Sequence, residues 1–413
     1  MELILEDIGI IERAEIRLDG LTVIAGNNDS GKSTVGKIAY SLTKSYEDFD
    51  LNYERDRMQE IEKFYREFYV ILRKNIDFKE NIEFQKFMDK YLYYRNINDK
   101  KLLELMKNLL NMINKGEINV NKETLKIIID FLKRIENIYQ KKESKDSKII
   151  RSVIKVFESE FRNQINYILK KESRITALEG KNEIIRLIIK NNNIIQDISV
   201  KIDEIFPFES SIFIETPFIL TYKDALEYSD DIYHVNDLLK KLESPNINYN
   251  KRKLNISNII KGEIHFDEEE DSFIYKKKIG ENLTNIKMLN SASGIKSFGL
   301  LQLLENSGEL DKNNLLIIDE PEVHLHPDWQ VEYARLLVKL VKNGTTVLIT
   351  SHSPYLIEAI NKYSIKENIK NKTRFYLSEV QDNGKALIKD KTNDKDEIFD
   401  KLSKPFERLI FGD

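Results

Sequence analysis

Two acidic residues, Asp319 and Glu320, directly follow an uninterrupted run of large aliphatic residues from Leu315 to Ile318. Such a run, without polar alternation, is typical of a strand covered on both faces, as in a parallel sheet. Carboxylates are costly to place at the end of a buried strand unless a cation or a proton transfer uses them. The pair therefore predicts metal binding or acid–base chemistry, and it requires a phosphate-binding segment elsewhere in the chain.

Such a segment lies near the start of the chain and fits the pattern G-x-x-x-x-G-K-[ST] in full. Its members are Gly26, Asn27, Asn28, Asp29, Ser30, Gly31, Lys32, Ser33 and Thr34. A short apolar strand over 21–25 leads in, and a helix over 35–42 leads out. The glycines allow successive backbone N–H groups to face an anion, and the helix N-terminus adds partial positive charge. We predict nucleotide binding, with Lys32 at the β- and γ-phosphates and Ser33 at Mg²⁺.

A second helix start with small polar residues lies further along the chain. The segment 290–297 leads into an apolar helix, and its polar or small members include Ser291, Ser293, Gly294 and Lys296. A helix N-terminus of this kind can bind an anion. One triphosphate has no use for two such loops from one chain, so the second loop would serve a neighbouring subunit. An ordinary serine N-cap is the alternative.

A histidine, His352, ends another apolar strand over 345–350. In an open parallel sheet, the ends of neighbouring strands converge on the ligand crevice. This position would allow His352 to contact the γ-phosphate or the attacking water, whereas most isolated histidines are structural.

The composition bounds the class of protein. A chain of 413 residues is long enough for two or three domain-sized units. The formal net charge of −4 argues against a globally basic nucleic-acid binder, although a local basic patch stays open. The absence of cysteine excludes disulfides and thiolate metal sites, and it suits a cytoplasmic protein. We expect no signal peptide and no membrane association, because no long apolar stretch is present.

Outside one long helical stretch, the apolar pattern predicts an α/β fold with a mixed sheet. The expected elements are two antiparallel strands in 2–19, hairpins in 172–190 and 263–278, a strand in 211–216, helix in 222–261 with a break at 245–249, and a strand or two with a closing helix from Asp396.

Between about 46 and 171, proline is absent, glycine is scarce and apolar residues recur with a helical period. We predict about four helices here, with breaks near 75–77, 96–99, 115–121 and 141–146. Sustained heptads are absent, so a helical bundle or hairpin is favoured over a coiled-coil arm. The predicted domains are a core of two lobes from 1–45 and 172–413 and a helical insertion over 46–171. The insertion is either a surface that senses a partner or a solvated packing domain.

Together, the four segments resemble the ABC-type ATPase heads of the SMC, Rad50 and RecF proteins, which are P-loop NTPases. Residues 26–34 correspond to Walker A, 292–296 to the signature motif, 315–320 to Walker B, and His352 to the switch histidine. Within that group, the stretch DEPEVHLHP is most similar to the stand-alone OLD-related ATPases of bacterial anti-phage defence systems, such as PARIS, Septu and the retron-associated type. The resemblance covers roughly 1–45 and 172–380.

The resemblance implies a role for each matched residue. Ser33 and Asp319 would hold Mg²⁺, Glu320 would be the base that orients water, and His352 would sense the γ-phosphate. The residues that cap the nucleotide of the partner subunit would be Ser291, Ser293, Gly294 and Lys296.

Some positions depart from the pattern of the resembled heads. His324 and His326 fall where the D-loop lies and are expected near the dimer interface; an H-x-H metal site is the alternative. No glutamine follows the strand over 211–216 as a Q-loop, and Glu215 is the candidate substitute. The Toprim nuclease of full OLD proteins has no counterpart after His352, so this chain is not expected to cut nucleic acid by itself.

The sequence thus predicts a Mg²⁺-ATP-dependent ATPase that forms an ATP-sandwiched homodimer or a higher oligomer. It would act as the sensor or scaffold subunit of an anti-phage defence system and control a separately encoded effector, such as a nuclease. The alternative is a RecF- or SMC-like DNA-binding repair ATPase, although the charge does not favour DNA binding. An ABC transporter subunit is a third interpretation, weakened by the large insertion after Walker A.

Overall fold

The computed structural model describes the chain over residues 1–75, 99–140, 143–162, 164–166, 172–190, 193–200, 206–223, 232–244 and 254–411. It divides into two compact units, of which one comprises 1–47 with 152–413 and the other comprises 48–151. The predicted breaks near 75–77, 96–99 and 245–249 lie wholly or largely outside the described residues, as does the start of the break at 141–146.

The first unit is built on a mixed sheet in which the described residues form eleven strands. These are β1 (Glu2–Ile8), β2 (Ile11–Arg17), β3 (Leu21–Gly26), β4 (Glu172–Glu179), β5 (Asn182–Lys190), β6 (Asn193–Val200), β7 (Ser210–Ile214), β11 (Asn314–Ile318), β12 (Thr346–Ser351), β13 (Thr373–Val380) and β14 (Ala386–Asp390). Across the sheet the order is β6-β5-β4-β1-β2-β14-β13-β3-β12-β11-β7. A second, antiparallel sheet contains β8 (Gly262–Asp267), β9 (Ser272–Ile279) and β10 (Asn282–Lys287).

The helices of both units are as follows in chain order. They are α1 (Lys32–Glu47), α2 (Phe49–Asn75), α3 (Asp99–Asn114), α4 (Lys122–Gln140), α5 (Lys145–Phe161), α6 (Tyr233–Glu243), α7 (Ile256–Ile260), α8 (Ser293–Ser307), α9 (Pro327–Asn343), α10 (Pro354–Lys366) and α11 (Asp396–Phe411).

The parallel part of the large sheet positions the predicted chemistry. Strand β3 pairs in parallel with β12 and β13, and β11 pairs in parallel with β12 and β7. All six residues of β3 are buried, as are Leu315 to Ile318 of β11, in agreement with strands covered on both faces. Because the carboxyl ends of parallel strands share one edge of a sheet, residues 26–34, 319–320 and 352 meet there.

Local sequence signals set the ends of the helices at this edge. Proline occupies the first helical position of both α9 and α10, where its missing N–H costs no hydrogen bond. Ser353 caps α10, since its side chain accepts a hydrogen bond from the backbone N–H of Leu356. These signals fix the residues at which α9 and α10 begin.

The small sheet packs on α8, which is buried along most of its length. A side chain at Gly299 of α8 would collide with Ile264 of β8, because a Cβ there would lie 2.0 Å from the Ile264 Cδ1. The backbone N–H of Ile264 donates a hydrogen bond of 2.7 Å to the side-chain oxygen of Gln302. Gly299 thus allows the small sheet to pack closely on α8.

The second unit, 48–151, is helical in its described part. Helices α2, α3 and α4 share a buried apolar cluster formed by Ile61, Phe68, Leu72, Leu102, Leu105, Met106, Leu109, Ile118, Ile128, Phe131 and Ile135. The turn over 115–121 separates α3 from α4, as the sequence predicts.

The α/β class with a mixed sheet is confirmed, as are both predicted hairpins, the strand pair around Gly9 and the strands and helix of the tail. Two expectations need correction. The strand over 211–216 ends at Ile214, because Pro217 begins a short 3₁₀ turn that Thr216 caps. The expected helix over 222–261 is only partly helical, with α6 and α7 as its described helices. In the part of the chain that the structure describes, no helix is both long and apolar enough to cross a membrane.

Candidate functional site

The phosphate loop leaves β3 through backbone conformations that favour glycine. Gly26 has φ of +151° and Gly31 has φ of +85°. A Cβ at Gly26 would lie 2.5 Å from the Ser378 carbonyl oxygen, and one at Gly31 would lie 2.7 Å from the Ile11 Cγ1. Both glycines are therefore required by backbone conformation and by space, as a phosphate loop demands.

Lys32 begins α1 and is 4% exposed. Its ammonium group donates a hydrogen bond of 2.7 Å to the carbonyl oxygen of Asn27, and it lies 3.8 Å from the Glu320 Oε1. Burial lowers the pKa of Lys32, and the carboxylates of Glu320, Asp319 and Glu322 oppose that shift. The lysine thus joins the phosphate loop to the acidic end of β11.

Asp319 follows β11, and its backbone N–H donates to the carbonyl of Ile214 on the neighbouring strand. Burial raises the pKa of Asp319, whereas hydrogen bonds from the Thr350 and Ser33 hydroxyls lower it. The Thr350 hydroxyl also accepts a hydrogen bond of 3.0 Å from the backbone N–H of Glu320. One threonine at the end of β12 therefore fixes both members of the acidic pair.

The oxygen donors at this place suit a Mg²⁺ ion. The hydroxyl of Ser33 and the carboxylate of Asp319 lie close enough to each other for Ser33 to lower the pKa of Asp319. Lys32 ion-pairs with Glu320, and its ammonium also interacts with the carboxylates of Asp319 and Glu322. An excess of carboxylate over ammonium and an all-oxygen donor set favour a hard divalent cation that keeps some of its water.

His352 lies between two carboxylates. Its Nδ1 is 3.5 Å from the Glu320 Oε1 and 3.3 Å from the Glu322 Oε1. Glu322 is 4% exposed, and its Oε1 also accepts hydrogen bonds from the His352 backbone N–H at 2.6 Å and from the Ser351 hydroxyl at 2.8 Å. Glu322 thereby anchors the loop that carries His352. Burial raises the pKa of Glu322, against these hydrogen bonds.

A cavity of about 190 Å³ adjoins the acidic pair. Glu215, Asp319, Glu320 and His324 line its polar side, and Leu300 lies on its apolar side. The predicted Q-loop substitute, Glu215, thus faces the same space as the predicted base.

The segment before α8 contacts the loop after Glu320. The Ser293 hydroxyl lies 3.5 Å from the carbonyl oxygen of His324. A Cβ at Gly294 would lie 2.6 Å from the Trp329 ring, so the indole requires a glycine here. The N-cap of α8 is Ala292, which has no capping oxygen, so the serine N-cap alternative is wrong.

The other two residues predicted to act in trans are Lys296 and Ser291. Lys296 is 4% exposed, and its Nζ lies 5.4 Å from the centre of the Phe218 ring. Burial lowers the pKa of Lys296. The hydroxyl of Ser291 is buried without a hydrogen-bond partner among the described residues.

The two histidines of the HLH stretch have separate local roles. His324 has φ of +71° and packs edge-on against Phe218, with 5.2 Å between ring centroids. His326 is the N-cap of α9 and accepts a hydrogen bond of 3.4 Å from the Asp328 backbone N–H. Within the described ranges, no group of three or more metal-ligating side chains is present.

Sequence reasoning missed several residues that the structure brings to the site. Glu322 stands two positions after the predicted base, and Thr350 stands two positions before His352. Strand-end polar residues next to a predicted catalytic residue were the available signal for both. No signal in the sequence pointed to His234, which contacts Glu215 from α6.

Comparison with known proteins identifies similar families. The profile of the AAA ATPase domain family (AAA_15) matches residues 2–357. The chain is 34% identical over 80 residues to the Septu protein PtuA of Bacillus thuringiensis, a match that covers 16% of this chain and 20% of PtuA. It is 30% identical over 102 residues to protein ea59 of Escherichia phage lambda, covering 24% of this chain and 18% of ea59. The chain thus matches about a fifth of the length of each of these relatives.

Solved structures of similar proteins include SMC heads. The SMC head domain from Thermotoga maritima is 11% identical, with 94% of this chain and 97% of that chain covered and a TM-score of 0.39. An Smc head bound to the C-winged helix domain of ScpA is 11% identical over the same shares, with a TM-score of 0.42. Both scores are low, so the fold assignment relies on the family profile and on the strand order described above.

Proposed function

The chain is a P-loop ATPase that belongs to the AAA ATPase domain family, and we propose that it hydrolyses ATP between two copies of itself. The observation that carries this proposal is the meeting of Lys32, Asp319, Glu320 and His352 at one sheet edge. The distances of 3.8 Å and 3.5 Å that join Lys32 and His352 to Glu320 support the proposal that all three act on one triphosphate.

Each residue at the edge has a role that its contacts support. Lys32 binds the β- and γ-phosphates together with the backbone N–H groups of residues 26–31. Glu320 accepts a proton from the attacking water, and His352 contacts the γ-phosphate. Ser33 and Asp319 would hold Mg²⁺, which supplies charge neutralisation at the phosphate oxygens when it is bound.

The start of α8 supports the proposal that a second copy completes the site. Its backbone N–H groups have no side-chain cap from Ala292, and Ser293 and Gly294 are the first residues of the helix. In one chain these residues pack on the loop after Glu320. In a two-fold dimer the same surface would face the partner's phosphate loop, so that each nucleotide is enclosed by two subunits. ATP then closes the dimer, and hydrolysis opens it.

We further propose that this cycle serves an anti-phage defence system, in which the dimer holds and releases a separately encoded effector. The local match to the Septu protein PtuA supports this assignment, because Septu is among the systems that the sequence resembles. The helical unit over 48–151 is the proposed surface for the effector or the trigger, since its apolar cluster is separate from that of the nucleotide-binding unit.

The test is ATP turnover by the purified protein with and without linear duplex DNA at moderate salt, with Lys32→Ala as the matched inactive control. We expect slow turnover that DNA does not change and that Lys32→Ala abolishes. Strong stimulation by DNA would overturn the effector proposal and favour a DNA-repair ATPase. An adjacent gene for a nuclease or toxin, whose product binds the ATP-loaded dimer in a pull-down, would support the effector proposal.

A further inference from the structure

A buried histidine connects α5 to the cavity that Asp319 and Glu320 line. His234 is 2% exposed at the start of α6. Its Nδ1 lies 2.7 Å from the Glu160 Oε2, and its Nε2 lies 3.5 Å from the Glu215 Oε2. The three side chains therefore form a continuous row from α5 through α6 to the segment that follows β7.

Both carboxylate oxygens of Glu160 contact His234. The Glu160 Oε1 accepts a hydrogen bond of 2.8 Å from the His234 backbone N–H, while Oε2 faces the imidazole. The Glu160 side chain is fully buried. A buried carboxylate is stable only with such partners. Glu160 thus fixes both the backbone and the ring of His234.

The surroundings favour a charged imidazole. Burial lowers the pKa of His234, but its interactions with Glu160 and Glu215 outweigh burial, so the pKa is raised. Tyr40 of α1 packs edge-on against the His234 ring, with 6.0 Å between ring centroids. The Tyr40 hydroxyl donates a hydrogen bond to Asp237 of α6. An imidazolium can donate one hydrogen bond to each flanking carboxylate, which a neutral ring cannot.

Glu215 is the end of the row that reaches the cavity. Its carboxylate lines the same space as Asp319 and Glu320, and Lys37 of α1 lies 3.5 Å from its Oε1. The contact with His234 is the main reason that the pKa of Glu215 is lowered to about 2, against the opposing effect of burial. Glu215 therefore remains a hydrogen-bond acceptor that faces the cavity.

We infer that His234 and Glu160 are positioning residues for ATP hydrolysis, which act by holding the Glu215 carboxylate at the cavity it shares with the proposed base Glu320. This inference rests on the proposed function. Glu215, so held, accepts a hydrogen bond from water in the cavity and orients it beside Glu320. A carboxylate of α5, far from the phosphate loop in sequence, thus contributes to the geometry of the site.

The test compares His234→Gln, Glu215→Gln and the double variant. Each single variant should lower kcat by about tenfold to a hundredfold while KM for ATP changes little, because water is misplaced and nucleotide contacts are intact. The two effects should not add, so His234→Gln should leave kcat unchanged in the Glu215→Gln background. Additive losses would overturn the inference. If His234→Gln does not fold, Glu160→Gln replaces it in the same comparison with Glu215→Gln.

A pH profile separates positioning from a general loss of stability. Without the His234 imidazolium beside it, the pKa of Glu215 should rise, so the acid limb of kcat should move to higher pH in His234→Gln. The matched control is Lys223→Met, which removes a buried positive charge outside the row, the Lys223 ammonium that pairs with Asp271. It should lower the denaturation midpoint with kcat unchanged. Wild-type kcat and pH profile in folded His234→Gln would contradict the inference, whereas a wild-type enzyme no faster than Lys32→Ala would contradict the proposed function instead.

Discussion

Glu322 provides the prediction that depends most directly on observed contacts. Its Oε1 accepts hydrogen bonds from the Ser351 hydroxyl and from the His352 backbone N–H, at 2.8 Å and 2.6 Å. Its Oε2 is buried and finds no hydrogen-bond partner among the described residues. Glu322→Ala therefore leaves two buried donors without an acceptor, whereas Glu322→Gln keeps one oxygen in place.

The magnitude follows from those contacts. Each hydrogen bond to a charged acceptor contributes about 1.5–3 kcal/mol, so the loss of two gives about 3–6 kcal/mol. Burial opposes the charged form of Glu322, as the direction of its pKa shift indicates, so the lower end of that range applies. We expect Glu322→Ala to lower the free energy of unfolding by about 3 kcal/mol and Glu322→Gln to change it by less than about 1 kcal/mol.

Urea denaturation of both variants, together with kcat, measures this prediction. Because Glu322 acts through His352, Glu322→Ala should also lower kcat, and this decrease should vanish in a His352→Ala background. Equal losses of stability in the Ala and Gln variants would show that charge, and not acceptance of hydrogen bonds, is what matters. Wild-type stability of Glu322→Ala would refute the reasoning altogether.

Three other substitutions and one pH dependence test the remaining parts of the site. Glu320→Gln should bind ATP, accumulate as a closed dimer on size-exclusion chromatography and turn over about 10²–10⁴-fold more slowly, because the proton acceptor is lost; wild-type turnover would remove Glu320 as the base. Lys32→Ala should abolish nucleotide binding in calorimetry, since the phosphates lose the ammonium that the phosphate loop supplies; unchanged affinity would contradict the loop assignment. Gly294→Ala should retain ATP binding but lose turnover, because its Cβ would lie 2.6 Å from the Trp329 ring; full activity would separate this helix start from catalysis. The raised pKa of His234 stabilises the fold fully below its ordinary value of 6.5 and less as pH rises through the raised value. The urea midpoint of wild type should therefore exceed that of His234→Gln by more at about pH 5 than at about pH 9; a pH-independent difference would show that folding does not raise the pKa of His234.

The chemistry at the sheet edge could be predicted because it depends on contiguous residues. The phosphate loop is defined by eight consecutive positions between a strand and a helix, and the acidic pair by four aliphatic residues before it. Parallel pairing then brings the three strand ends together, so His352 could be placed from topology alone. The hairpins were predicted for a related reason, since period-2 alternation and turn residues are local.

The remainder depends on contacts that no local pattern encodes. His234 meets Glu160 and Glu215 from separate elements, so their association follows from packing. Serine is a commoner N-cap than alanine, but the chain enters α8 through Ala292, and Gly294 packs on Trp329. Tertiary contact thus overrode a local preference.

The central claim is that each nucleotide is enclosed by the phosphate loop of one subunit and the α8 start of the other. It is tested by mixing two inactive variants, Lys32→Ala and Ser293→Arg, and measuring ATP turnover. In a mixed dimer, the intact phosphate loop of the Ser293→Arg subunit meets the intact α8 start of the Lys32→Ala subunit. The account predicts that the mixture regains about a quarter of wild-type turnover, since half of randomly formed two-fold dimers contain one complete site. A mixture that exchanges subunits but stays as inactive as its components would contradict it.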